Sequence, residues 1–214
     1  MRYRDRREAG RILADHLKQW AGAGTVVLGI PRGGVEVGAE VARVLGAALD
    51  VVVARKLGAP WQEELAVGAV TADGARWLND DVVRMVGASD EYLEAVTGRE
   101  RAEAERRERV YRGGRTPARI VGRVAIVVDD GLATGATARA ALRSMRAQEP
   151  TRLILAVPVG APETCRAMAD EADEVVCPVR PLDLVAISLH YEAFPQLRDE
   201  DVIALLEAAG HPSS

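Results

Sequence analysis

Two kinds of stretch alternate along the chain. Runs 25–30, 49–54, 124–128 and 152–159 are apolar almost throughout and rich in Val, Ile and Leu. That is the pattern of strands buried on both faces of a parallel sheet. Between them the apolar residues recur at helical spacing. Ala9, Ile12, Leu13, Leu17 and Trp20 mark a helix over about 5–21, with Trp20 expected in the core. Val35, Val37, Ala39, Val41, Ala42 and Leu45 mark a second helix, and Ala138, Ala141, Leu142 and Met145 a third, interleaved with Arg139, Arg143 and Arg146. Strand–helix alternation predicts an α/β fold, a Rossmann-like parallel sheet with helices on both faces.

Other segments break this rhythm. Runs 65–71 and 75–78 flank Asp73-Gly74 and predict a hairpin with a two-residue turn. Residues 57–64, with Gly58, Pro60 and two glutamates, predict a mobile loop, where Trp61 is either a hydrophobic latch or loop packing. A helix is expected over 162–169, a short strand at Val175-Val176 and a closing helix over 202–208. Residues 89–112 carry only a thin apolar stripe. Their arginines (Arg99, Arg101, Arg106, Arg107, Arg109, Arg112) stand near i, i+4 spacing from glutamates, predicting a solvated, ion-paired helix. A basic strip touching RNA or a second subunit is the other reading. Gly113-Gly114 ends this helix.

Composition narrows the class. At 214 residues with 48% apolar content, the chain suits one domain, 1–214, with a real core. A net charge of −4 argues against a dedicated nucleic-acid binder. Cys165 and Cys177 alone make neither a disulfide framework nor a zinc site and are expected as reduced thiols. The first residues lack the apolar stretch of a signal peptide, and no run approaches membrane-spanning length, so a cytoplasmic protein without membrane contact is expected.

The chemistry gathers after two of the strands. Run 124–128 leads into Asp129-Asp130, then Gly131 to Thr137, then a helix. A helix start with free N–H groups, two threonine hydroxyls and Gly135 can hold a phosphate. Asp129 and Asp130 can accept hydrogen bonds from a vicinal diol or hold Mg²⁺ through water. No G-x-x-x-x-G-K-[ST] and no G-x-G-x-x-G is present here, and the adjacent acids do not match the D-x-D of aspartyl phosphatases. A second strand, 25–30, feeds Pro31-Arg32-Gly33-Gly34 at another helix start. Here two glycines allow unusual backbone angles, and Arg32 offers a charged fork. Arg55 and Lys56 are expected at the ligand-binding edge of the strand at 49–54.

The apolar strand, acid pair and Thr134-Gly135-Ala136-Thr137 loop resemble the 5-phosphoribosyl 1-pyrophosphate (PRPP) signature of type I phosphoribosyltransferases. The runs Leu28-Gly29-Ile30-Pro31-Arg32-Gly33-Gly34 and Val53-Ala54-Arg55-Lys56-Leu57-Gly58-Ala59-Pro60 resemble an uncharacterised bacterial branch of that family. The resemblance implies a PRPP-binding fold with a small hood built from 57–64, 89–117 and 180–198. It places the 5-phosphate on Gly131, Ala133, Thr134, Gly135, Ala136 and Thr137, and the ribose hydroxyls on Asp129 and Asp130. Pyrophosphate falls to Pro31, Arg32, Gly33, Gly34, Arg55 and Lys56, with Lys56 ahead of Arg55. Tyr191 and Phe194 are the aromatic candidates for the acceptor ring, whereas His190 reads as structural. Ala133 stands where 6-oxopurine salvage enzymes carry an aspartate, which argues against a hypoxanthine–guanine enzyme.

The reaction so implied is displacement of pyrophosphate from ribose C1 by a nitrogen base, assisted by Mg²⁺. Asp129, Asp130, Arg32 and Lys56 are its catalytic candidates, and Asp130→Asn is expected to remove turnover and leave the fold intact. Family members are commonly dimers, so a homodimer is a further expectation. The alternative is a PRPP-sensing regulator that binds nucleic acid, with only the arginine-rich helix in its favour.

Overall fold

In chain order the strands are β1 (Thr25–Gly29), β2 (Ala48–Val51), β3 (Ala54–Ala59), β4 (Gln62–Thr71), β5 (Arg76–Leu78), β6 (Val124–Val128), β7 (Arg152–Ala156) and β8 (Glu174–Val176). The computed structural model describes residues 2–210. Five strands pair in parallel in the order β2-β1-β6-β7-β8, and three pair antiparallel in the order β3-β4-β5.

Strand alternation sorts the core into two layers. Val27, Ile126, Val128, Ile154 and Ala156 face α1 (Arg6–Asp15), α2 (Gly33–Leu45) and α7 (Asp199–Ala208) through Leu13, Val37, Val41 and Val202. Val26, Leu28, Ala125, Val127, Leu153 and Leu155 face α5 (Ala136–Arg146) and the second sheet, through Ala141, Leu142, Ala54 and Ala69. Both faces of the central strands are therefore dry, which is why their sequence is apolar without alternation. Each buried Val, Leu or Ile contributes roughly 1.5–3 kcal/mol by removal from water.

Two expectations need correction. The run at 49–54 is not one strand. Parallel pairing ends at Val51, buried Val52 and Val53 form an irregular link, and Ala54 opens β3 opposite Thr71 of β4. The connection is as apolar as the strands it joins, so the pattern hides the break. Residues 57–64, expected as a loop, mostly belong to a hairpin. Ala59 pairs with Gln62 across Pro60-Trp61, because Leu57 and Ala59 bury one face with Leu93 and Val96 of α4 (Asp90–Arg112). Trp61 sits at the tip with φ +68° and is fully exposed, packing on nothing. Trp61→Ala is accordingly expected to change unfolding free energy by less than about 0.5 kcal/mol in a urea titration.

The hairpin around Asp73-Gly74 forms, with Gly68 opposite Leu78, but its turn has three residues, Ala72 to Gly74, closed by the Thr71 N–H donating to Ala75 O (3.0 Å). The pattern gave no expectation for α3 (Asp80–Val86), which starts on an Asn79 cap. Helix α4 begins at a Ser89 cap and ends at Gly113 in the left-handed region. Its arginines are largely taken by its own glutamates: Arg101 pairs with Glu105, and Arg106 and Arg107 with Glu103. Hydrogen bonds from those two arginines hold the Glu103 carboxyl down at about 2. Cys165 and Cys177 are free and buried. Among the described residues, no helix is long and apolar enough to cross a membrane.

Candidate active site

The strand order reverses beside β1: the chain steps outward to β2, then returns to lay β6 on the other side. In open parallel sheets such a reversal leaves a crevice at the carboxyl ends of the two strands. Gly29 pairs with Val128, and the Ile30 N–H donates to the Val128 carbonyl (2.8 Å), so segments 30–34 and 129–135 emerge side by side. The Pro31–Arg32 peptide is cis. Gly33 and Gly34 do not adopt the left-handed angles expected of them. They are glycine because of close approach. A Cβ on Gly33 would overlap Asp130 Oδ2, and one on Gly34 would overlap the Val128 carbonyl oxygen.

The second loop is tied down from behind. The Leu132 N–H donates to Val159 O (2.8 Å), the Ala161 N–H to Leu132 O (3.0 Å), and the Thr164 hydroxyl to Ala133 O (2.7 Å). Gly131 is buried against Ile187, while Ala133 and Thr134 are exposed and Thr137 is half-buried. Gly135 caps α5 at φ +76°, where a Cβ would come within 2.5 Å of Met168 Cε. No side chain caps this helix, so Ala136 and Thr137 open it with N–H groups unclaimed by a cap. That is the arrangement an oxyanion occupies.

Asp129 and Asp130 follow β6, but their surroundings differ. Arg6 of α1 donates from Nε to Asp130 Oδ2 (2.8 Å), and the Tyr191 hydroxyl donates to the Asp130 carbonyl (2.7 Å). Asp129 accepts only the Asp130 N–H (2.9 Å), and no side chain among the described residues hydrogen-bonds it. Burial and the neighbouring Asp130 push the Asp129 carboxyl well above the usual carboxylate range, while Lys56 and Arg6 pull the other way. Burial raises Asp130 too, with Arg6 opposing.

The cations expected to meet pyrophosphate separate. Arg55 and Lys56 are neighbours on β3, so their side chains leave on opposite faces. Arg55 is engaged with Glu100 of α4 (3.1 and 2.8 Å) and lines the same cleft as Lys56. Lys56 is exposed and shares a cleft of about 470 Å³ with Thr137. Arg32 starts α2 beside Gly33, with Asp199 3.8 Å away.

Tyr191 does not offer a stacking surface. It is 1% exposed, packed on Tyr3 and Phe194, because its ring closes the small core beneath residues 184–194. Tyr191→Phe is expected to cost about 1 kcal/mol of unfolding free energy, measured in urea, by leaving the Asp130 carbonyl without its donor. Phe194 is half-buried and lines a pocket of about 260 Å³ with Arg6, Arg32, Gly33 and Gln196. A larger cavity, about 700 Å³, lies away from these loops, among Asp73, Glu105, Arg109 and Arg115.

Arg6 is the site residue the sequence reading missed. The signal was present: Arg6, Ala9, Gly10 and Leu13 follow i, i+3, i+4, i+7, so a cation continues the buried stripe of α1. A charge at a core-facing position needs a partner, and its partner is Asp130.

A family model described as phosphoribosyl transferase domain matches residues 4–192. Two curated Mycobacterium tuberculosis proteins provisionally named as phosphoribosyl transferases, Rv0571c of strain H37Rv and MT0597 of strain CDC 1551, are 47% identical over 205 residues. The match covers 96% of this chain and 46% of each relative, so the chain spans about half the length of the curated relatives it matches. The crystal structure of TT1426 from Thermus thermophilus is 44% identical, with a TM-score of 0.81 over 96% of this chain and 98% of that one. Taken with two loops that converge on an acid pair at the sheet's reversal point, the match over 4–192 means that the chain belongs to the phosphoribosyl transferase domain family.

Proposed function

We propose that the protein is a PRPP-dependent phosphoribosyltransferase that displaces pyrophosphate from ribose C1 with a nitrogen base. The observation that carries this reading is the direct contact between the two loops. Gly33 leaves no room for a side chain beside the Asp130 carboxylate, so the glycine segment meets the acid pair directly, and the same segment that carries the acids runs on to the start of α5. PRPP carries phosphate at both ends and a diol between them, and the crevice offers N–H groups at two helix starts with carboxylates between.

In this reading Ala133 to Thr137 hold the 5-phosphate, and Pro31 to Gly34 with Lys56 receive the pyrophosphate. The transition state gathers positive charge on the ribose and negative charge on the leaving group, as in glycosyl transfer generally. The chain's part is to fix the sugar and meet the leaving charge with donors already in place. Asp130, pinned by Arg6, orients a ribose hydroxyl through its remaining oxygen.

The donor set fits Mg²⁺ on chemical grounds. Asp129 is a half-buried carboxylate without a side-chain partner, and no cluster of three or more His, Cys, Asp or Glu that could hold a metal alone occurs among the described residues. Mg²⁺ of this kind is held by one or two carboxylates, waters and substrate phosphates, and when bound it neutralises charge on the departing pyrophosphate. Asp129 and Asp130 would hold it.

Phe194 is left as the aromatic candidate near the acceptor, since Tyr191 is enclosed. The regulator reading loses its footing, because the arginines that suggested it pair largely with glutamates on α4. The deciding experiment is pyrophosphate release from PRPP and Mg²⁺ against a panel of purine, pyrimidine and pyridine bases. Release with at least one base supports the proposal. No release, together with no PRPP binding by calorimetry, overturns it.

A further inference from the structure

We infer that Arg6 is a positioning residue for PRPP, acting through Asp130, so that α1 is part of the binding machinery; this rests on the PRPP reading above. Arg6 is only 6% exposed, and packing gives no reason for a cation there. The rest of the inward face of α1 is Ala9, Gly10, Leu13 and Ala14, which a leucine or methionine would extend at lower desolvation cost.

The guanidinium instead joins separately folded pieces of the site. Its Nε donates to Asp130 Oδ2 (2.8 Å) and its Nη1 to the Pro195 carbonyl (2.9 Å). Glu36 of α2 lies 3.9 Å from Nη1, and the plane covers the Phe194 ring at 3.7 Å. A planar fork with several fixed donors can do this, whereas an ammonium cannot. Asp130 is thereby held at three points: Oδ2 by Arg6, its carbonyl by Tyr191, and its N–H by Asp129. The same Oδ2 fills the space where a Gly33 side chain would stand, so Arg6 also fixes the wall on which the glycine loop rests. One oxygen of Asp130 is committed, and Oδ1 is presented to the sugar in a single orientation. Its neighbour Asp129 has no such support. The two adjacent acids thus divide their tasks, one fixed and one adjustable.

The test is a double-mutant cycle on PRPP binding, measured by calorimetry with Mg²⁺ present, using Arg6→Gln, Asp130→Asn and the double variant. Each single change is expected to weaken PRPP about 30-fold, the size expected when one member of a buried charge pair is truncated. The double variant is expected to bind no more weakly than the worse single one, since Arg6 has nothing to position once the carboxylate is gone. A merely structural role would not produce that non-additivity in affinity. Urea unfolding of each variant verifies that it is folded. Should Arg6→Gln not fold, Arg6→Lys takes its place in the same cycle; it keeps the charge, loses the fork, and is expected to fall between the parent and the Asp130→Asn variant. Arg6 variants that bind PRPP like the parent, or losses that add in the double variant, overturn the inference. A parent protein that binds no PRPP overturns the function proposed above, a separate outcome visible before any variant is made.

Discussion

Asp129→Asn is expected to raise the protein's stability at neutral pH by about 1 kcal/mol while cutting the proposed phosphoribosyl transfer by about 10²–10³-fold. The two effects have one cause. The Asp129 carboxyl is half-buried beside a second acid with no side chain hydrogen-bonded to it, so its ionised form is disfavoured in the folded protein. With the folded-state value raised above the ordinary 3.8, the contribution of this group to stability is complete below 3.8 and lost as pH rises through the higher folded value. At pH 7 the carboxylate therefore works against the fold, and an amide of the same shape removes that penalty. The gain should be largest near neutrality and fade as pH falls toward 3.8. What the amide cannot supply is a charged oxygen for the substrate's metal and hydroxyls. Thermal unfolding from pH 4 to 7, beside pyrophosphate-release assays, separates the two. An Asp129→Asn protein that is less stable at pH 7, or as active as the parent, contradicts the account.

Asp130→Asn should gain less stability near neutrality than Asp129→Asn, because burial raises both carboxyls but Arg6 opposes the rise at Asp130 directly, with a comparable collapse of the proposed transfer. Here the carboxylate is the partner of a buried guanidinium, and neutralising it leaves Arg6 facing an amide inside the protein. Glu36, 3.9 Å from Nη1, only partly replaces it. The change was expected from sequence to leave the fold intact, and the loss of the Arg6 partnership is where that expectation is tested. Urea unfolding of the two asparagine variants side by side is the measurement. Shifts of equal size, or a larger gain at Asp130, would mean that Arg6 does not distinguish the adjacent acids.

The sequence made the scaffold and the two loops legible for one physical reason. Strands buried on both faces must be apolar throughout, and ligand loops at their ends must be small and polar, so runs 25–34 and 124–137 stand out locally. What escaped depends on partners far along the chain. Arg55 and Lys56 read as a basic pair, yet strand alternation separates them and Glu100 of α4 claims one. Tyr191 read as an exposed platform, but Tyr3 at the other end of the chain encloses it. Arg6 was lost among the arginines near the start, although its place on the buried stripe of α1 was a usable clue. The glycines at 33 and 34, expected in the loop, form the first turn of α2, and the close approach that requires them cannot be seen without the opposing carboxylate.

The close seating of Gly33 on Asp130 and Gly34 on Val128 has a practical side for anyone seeking new acceptor preferences by directed evolution. Even a methyl group has no room at either glycine, so libraries that randomise 31–34 or 128–131 would consist mostly of misassembled proteins. Diversity belongs at Phe194, Gln196 and Leu197, which border the adjoining pocket without being wedged between the two loops.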